Sequence, residues 1–195
     1  MIERVRVGIL ISGRGSNMSA LIKASEAADC PYKVVLIVSN RLDAPGLSVA
    51  HAHDIPTFAR SHNGLERADF DGIIDAALRE ADVEIVALAG YMRVLSDGFI
   101  EGWRGRVLNV HPSLLPLYKG LDTHARALAA GDLEAGCSVH LVTPELDDGP
   151  VIRQARVPIL PGDTSETLAQ RVLQEEHRLY PRALTDWINA KGGKF

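Results

Sequence analysis

Three short stretches of the chain carry residue types that can do chemistry. In Asn109-Val110-His111 a carboxamide and an imidazole stand two residues apart, a spacing that points both side chains to one side of an extended strand. An amide N–H and an imidazolium can each donate a hydrogen bond to an oxygen that gains negative charge when a carbonyl is attacked. The imidazole can then pass a proton to a departing nitrogen. A histidine alone at a strand end is commonly just a hydrogen-bonded residue, so the pair calls for a third member. Asp147 is the candidate, in the acidic loop Thr143-Pro144-Glu145-Leu146-Asp147-Asp148-Gly149-Pro150, because a carboxylate near His111 favours the protonated ring. The same loop also reads as a solvated turn, for which Gly149 and Pro150 are suited without any catalytic role.

The third stretch is Gly13-Arg14-Gly15-Ser16-Asn17. Glycines let a backbone come close to a ligand, and a helix starting there would present unpaired N–H groups and a partial positive charge, the requirements of a phosphate or carboxylate site. It is neither G-x-x-x-x-G-K-[ST] nor the three-glycine dinucleotide fingerprint, and a tight turn without a ligand is the plain alternative. Of the other histidines, His51, His53 and His62 fall on a short helix and a polar loop, while His124 and His140 flank the proposed site. His124 suits its mouth, and His140 suits a supporting place behind it. No H-E-x-x-H spacing occurs, and Cys30 and Cys137 fit neither a zinc pattern nor a C-x-x-C pair. The expectation is no metal, with both thiols buried in a reducing cytoplasm.

The elements that must position these residues alternate between two periodicities. Val5–Ile11, Lys33–Ser39, Pro56–Ala59, Glu84–Ala89 and Arg106–Val110 read as strands. Helices are predicted after the glycine loop, with Met18, Leu21 and Ile22 at helical spacing, around Gly46–His53, and over Leu65–Arg79. Proline ends the fifth strand at His111-Pro112, which leaves Asn109 and His111 at its carboxyl end. A helix over Asp122–Ala130 closes at Gly131, and two runs, Ser138–Val142 and Val151–Val157, read as a hairpin joined by the acidic loop. A long helix spans about Ser165–Ala190, opened by Thr164 to Thr167 and closed by Gly192-Gly193. This is an α/β fold, a doubly wound, mainly parallel sheet with helices on both faces, of the kind that binds ligands outside the carboxyl ends of its strands.

At 195 residues and 46% hydrophobic content the chain can bury one good core, and a single domain is expected. Its net charge of −4, with basic residues dispersed, argues against nucleic acid as a partner. No segment has the length and apolarity of a membrane span or a secretory leader.

Four motifs follow one another in a telling order: I-S-G-R-G-S-N at Ile11–Asn17, L-A-G-Y-M-R-V-L at Leu88–Leu95, N-V-H-P-S-L-L-P at Asn109–Pro116, and E-L-D-D-G-P-V-I at Glu145–Ile152. In these the chain resembles the folate-dependent formyltransferases, and within them the phosphoribosylglycinamide formyltransferase branch, from the first strand to the last helix. The resemblance implies a Rossmann-like formyltransferase fold in one domain, 1–195, with a nucleotide-phosphate half of about 1–100 and a folate and catalytic half of about 101–195. It implies transfer of the formyl group of 10-formyltetrahydrofolate to the amine of N1-(5-phospho-D-ribosyl)glycinamide, in purine biosynthesis, by direct amine attack. Asn109, His111 and Asp147 would be catalytic; Gly15, Ser16, Asn17 and Glu176 would hold the ribonucleotide. Arg67, Met92, Arg93, Val94, Leu95, Asn109 and the loop Thr143, Pro144, Glu145, Leu146 and Asp147 would hold the folate. The expected partners are small-molecule substrates, in a cytoplasmic monomer or weak homodimer.

Two places depart from the family's form. Arg14 stands where a smaller or uncharged residue is common, and in Lys119-Gly120-Leu121-Asp122-Thr123-His124 the familiar form has proline near Lys119 and histidine at Asp122. Methionyl-tRNA formyltransferase shares the S-L-L-P and L-D-x-G-P elements but is expected to carry a further C-terminal nucleic-acid-binding domain. Formyltetrahydrofolate hydrolase uses water as acceptor and usually has a regulatory domain ahead of the catalytic one. A folate- or nucleotide-binding module without catalysis is the rival from another class.

Overall fold

The V-R-V-G-I-L-I run forms the first strand, and every other element is ordered around it in the computed structural model, which describes residues 4–195. In chain order the elements are β1 (Val5–Ile11), α1 (Ser16–Ser25), β2 (Tyr32–Ser39), α2 (Gly46–Ala52), β3 (Thr57–Ala59), α3 (Arg67–Glu80) and β4 (Ile85–Leu88). There follow α4 (Asp97–Gly102), β5 (Val107–His111), α5 (Thr123–Ala130), β6 (Glu134–Leu141), β7 (Val151–Pro158) and α6 (Ser165–Ala190). Among the described residues seven strands make one sheet in the order β3-β2-β1-β4-β5-β6-β7. The first five pair in parallel, while β6 runs antiparallel to β5, and β7 to β6. The predicted fold class and the hairpin around the acidic loop are both present. The chain winds outward from β1 to β3, then returns to β4 on the other side of β1, so the switch point lies between β1 and β4.

Strand alternation sorts the apolar residues into two cores. Val5, Val7, Ile9 and Ile11 of β1, with Ile85 and Ala87 of β4 and Leu108 and Val110 of β5, pack against Met18, Leu21 and Ile22 of α1 and Leu168, Val172, Leu179 and Leu184 of α6. Leu10, Val86, Leu88 and Val107 point the other way, onto Phe70, Ile74 and Leu78 of α3 and Phe99, Ile100 and Trp103 at α4. Each fully buried large apolar side chain contributes about 1.5–3 kcal/mol, so helices of modest intrinsic propensity are held by the faces they bury. α6 also has a capping box: the Thr164 hydroxyl accepts from the Thr167 N–H while the Thr167 hydroxyl accepts from the Thr164 N–H, the arrangement expected from Thr164 to Thr167.

Two elements differ from the sequence expectation. The six-residue α4 has too few turns to show a periodicity; its start is set by the Ser96 hydroxyl, which accepts from Phe99 N–H. β6 begins at Glu134, four residues earlier than Ser138. Gly136 disguises that start as a turn, yet a Cβ there would fall 2.0 Å from the Ala155 carbonyl oxygen of β7. The glycine allows close strand approach in mid-hairpin. No helix among the described residues is long and apolar enough to cross a membrane.

Candidate active site

The carboxyl ends of β1, β4 and β5 open at the switch point, and each delivers one of the sequence motifs. After β1, Gly15 turns the chain with φ of 70° and α1 begins at Ser16 without any side-chain cap. The first-turn N–H groups therefore face outward unpaired, as an anion site requires. Arg14 and Ser16 are exposed, while Asn17 is buried and donates a 2.6 Å hydrogen bond to Glu176 Oε2 from α6. Four residues that the sequence assigned to one ligand, Gly15, Ser16, Asn17 and Glu176, are thus gathered by the packing of α1 on α6. Burial raises the Glu176 carboxyl above its ordinary range, against the opposing effect of the Asn17 hydrogen bond.

At the end of β5, His111 is only 5% exposed. Its Nδ1 lies 3.3 Å from Asp147 Oδ2 and its Nε2 lies 2.9 Å from the Tyr118 carbonyl oxygen. Both ring nitrogens face acceptors, an arrangement that a protonated ring satisfies. Asp147 Oδ2 also accepts from Gly120 N–H at 2.9 Å, and Oδ1 lies 3.6 Å from His140 Nε2. His140 is buried in β6, with its Nδ1 2.9 Å from the Leu141 carbonyl. Its Nε2 is 3.3 Å from Asn109 Nδ2, so it links Asn109 to Asp147. Burial works against ionisation of Asp147, but contact with His140, the Gly120 N–H and the charge of His111 outweigh it and hold the carboxyl below its usual range. The acidic loop is therefore not simply a solvated turn.

Backbone shape makes these contacts possible. Asp147 has φ of 50°, and across the site Tyr118, Gly120 and Asp122 have φ of 54°, 79° and 57°. Left-handed residues other than glycine are uncommon and collect where a site over-determines the chain. Gly149 cinches the acidic loop onto β6, because a Cβ there would sit 1.8 Å from the Leu141 carbonyl oxygen. Lys119 pairs with Asp148, so the chain's departure from the family form at 119 adds an ionic contact between the two loops.

After β4, the segment 90–95 is held by Ser12: its hydroxyl accepts from Met92 N–H at 2.8 Å and donates to Asn40 Oδ1 at 2.7 Å. Buried Asp71 accepts from Ser96 N–H at 2.6 Å at the segment's far end. Met92 and Val94 are 72% and 52% exposed, and Leu121 and Leu146 are 73% and 59% exposed, so this segment and the two loops around Asp147 each present apolar surface that a ligand can cover. Leu95 differs: its side chain is buried in the α3–α4 core, so only its backbone is free for a ligand. The Arg93 guanidinium lies over Phe70, 5.3 Å from the ring centroid, one turn of α3 from exposed Arg67.

Ser12, Gly120 N–H and the Tyr118 carbonyl were not found from sequence, since a backbone group has no residue signature and Ser12 looked like part of a glycine loop. His124, on the first turn of α5, has its pKa lowered by burial and then by the charge of His111, which puts it beside the site as expected. His51 and His53 instead bond to Thr57 and Glu26 away from it, while His62 bonds to Asn40, the residue that accepts from Ser12 behind the 90–95 segment. Among the described residues no three His, Cys, Asp or Glu side chains are grouped to hold a metal ion. Cys30 and Cys137 are free and buried, and burial pushes the Cys137 thiol up to about 12.

Residues 5–184 match the formyl transferase family. The phosphoribosylglycinamide formyltransferase of Escherichia coli (strain K12) is 44% identical over 93% of this chain and 86% of its own length. The trifunctional purine biosynthetic protein adenosine-3 of Gallus gallus is 44% identical over 93% of this chain, which spans only 18% of that longer protein. Among solved structures, phosphoribosylglycinamide formyltransferase from Brucella melitensis superposes with a TM-score of 0.90 at 51% identity, covering 95% of this chain and 96% of that one.

Proposed function

This chain belongs to the formyl transferase family, and we propose that it transfers the formyl group of 10-formyltetrahydrofolate to the amine of N1-(5-phospho-D-ribosyl)glycinamide, yielding the N2-formyl product and tetrahydrofolate. The observation that carries the reading is the buried His111–Asp147 pair at 3.3 Å, linked to Asn109 through His140. The uncapped first turn of α1 beside Glu176 supports a phosphorylated, amine-bearing acceptor. The exposed apolar side chains at Met92, Val94 and Leu146 support a flat donor with an apolar body.

In this reading Ser16 and Asn17 bind the phosphate with backbone N–H groups, and Glu176 orients the acceptor. Segment 92–95, Arg67 and the loop 143–147 hold the donor. The acceptor amine attacks the formyl carbon, forming a C–N bond and placing the carbonyl electron pair on oxygen. The Asn109 amide N–H and the charge of His111 stabilise that oxyanion. The tetrahedral adduct collapses by breaking the bond to the folate nitrogen, which takes a proton, while the amine releases one. His111, Asp147 and solvent carry those protons, and the enzyme forms no covalent bond. In this reading the two halves of the chain, about 1–100 and 101–195, both serve each substrate: α1 and α6 supply the acceptor's groups, while Arg67, segment 92–95 and the loop 143–147 supply the donor's.

Purified protein mixed with both substrates and followed by the absorbance of deformylated folate should turn over only when the ribonucleotide is present. Equal turnover without it favours hydrolysis, with water as acceptor. Absence of both turnover and binding refutes the proposal.

A further inference from the structure

Tyr180 lies one turn beyond Glu176 on α6, so the two side chains leave the same face of the helix. Its ring is fully buried, and its hydroxyl lies 2.9 Å from the Leu108 carbonyl of β5 and 3.1 Å from the Leu88 carbonyl of β4. A phenol has one hydrogen to donate, so the two carbonyls share it. Leu108 immediately precedes Asn109. Leu88 is paired in register with Asn109 and immediately precedes the Ala89-Gly90 step into the donor-side segment. Burial holds the phenol far above its ordinary pKa, so it remains a donor throughout the neutral range.

Phenylalanine would fill the same space with no hydroxyl to satisfy, and a buried hydroxyl is costly unless it is bonded. What the oxygen adds is a fixed spacing between α6 and two strand ends at the point where they part. The next residue, Pro181, has no N–H, so the His177 carbonyl one turn back lacks that partner and the helix is not stiffened by its own ladder there. The hydroxyl supplies the missing restraint against the sheet.

We propose that Tyr180 is a positioning residue for formyl transfer: by tying α6 to the ends of β4 and β5, it sets the acceptor-side Glu176 and Asn17 relative to Asn109 and the donor segment. The inference rests on the formyl-transfer reading above. Transfer between two bound reactants is sensitive to displacements well below an ångström, and the effect belongs in kcat rather than in either binding step.

The test is Tyr180→Phe, assayed with both substrates varied and melted alongside Ile188→Val, a change in the same helix far from the site. Tyr180→Phe should lose roughly three- to thirty-fold in kcat with both KM values within about twofold of wild type. Ile188→Val should show a comparable fall in Tm at full kcat. Replacing Tyr180 with 4-aminophenylalanine, whose amine can donate to the same carbonyls, should restore most of the lost rate. A Tyr180→Phe enzyme that melts earlier but keeps its kcat overturns the inference while formyl transfer stands, as does a rate loss that the amino analogue leaves unrepaired. A wild-type protein that does not transfer the formyl group removes the underlying reading and this inference with it.

Discussion

Replacing Asp147 with asparagine keeps the side chain's size while deleting its charge, and the surroundings set the cost. Oδ2 serves both His111 Nδ1 at 3.3 Å and Gly120 N–H at 2.9 Å, and Oδ1 faces His140 at 3.6 Å. An asparagine can keep its oxygen toward His111 and Gly120 and turn its amide to His140, so most contacts survive and the loss is chiefly electrostatic. The His111 and Asp147 side chains are 6% and 9% exposed, and unit charges at this separation in an effective dielectric of about 20 attract by about 5 kcal/mol. Removing one partner of a buried pair costs about 3–5 kcal/mol. If that loss falls on the transition state, kcat drops by about a hundred- to several-thousand-fold, with KM for both substrates little altered. Steady-state assays across the pH range read this directly. A loss below about fivefold with an unaltered pH profile, or a loss confined to KM, would remove Asp147 from the chemistry. The stability curve gives a second check. Because folding depresses the Asp147 pKa, its ionisation stabilises the fold above the ordinary carboxylate range, and that contribution is lost as pH falls through the depressed value. Below about pH 4 wild type should therefore lose stability more steeply than Asp147→Asn.

Glu176→Gln should have the opposite pH signature. Burial raises this carboxyl in the folded state, so ionisation opposes folding once pH rises through that value. The variant should melt higher than wild type at pH 8, with the gain vanishing near pH 4, and its KM for the ribonucleotide should rise about tenfold. An unchanged acceptor KM would separate Glu176 from that substrate. Gly149→Ala must push the acidic loop off the Leu141 carbonyl, which a Cβ would approach to 1.8 Å. A kcat loss of at least about tenfold is expected, with far-ultraviolet circular dichroism unchanged; full activity would mean that the loop's seat on β6 does not set Asp147.

Much of the architecture was legible because its elements are long or sharply bounded. β1 and α6 matched their expected limits, the first as a β-rich apolar run that gives way to the glycine loop, the second through its Thr164–Thr167 box and glycine stop. α4 and the start of β6 were not, since six residues show no period and Gly136 looks like a turn until β7 is beside it. In the site, the side-chain members His111 and Asp147 were legible as a motif pair. What seats them was not: the Tyr118 carbonyl, the Gly120 N–H and the left-handed backbone at Asp147 are properties of tertiary closure, independent of residue type. The burial of Leu95 shows the converse, a motif residue whose side chain serves the core.

The division of the interior into two cores bears on how this protein can change. In the proposed reading the acceptor's groups, Asn17 and Glu176, stand on α1 and α6, which are anchored in one core. The segment proposed to hold the donor ends at Leu95 and the Asp71–Ser96 contact, anchored in the other. The sheet between them carries Asn109 and His111 and belongs to both. Loosening of one layer by heat or by mutation therefore reaches one substrate's grip first, leaving the other's intact until the sheet itself gives way. On that reading, affinity for donor and for acceptor can drift separately in the protein's descendants, while the strand that carries Asn109 and His111 is bound by two sets of packing constraints at once.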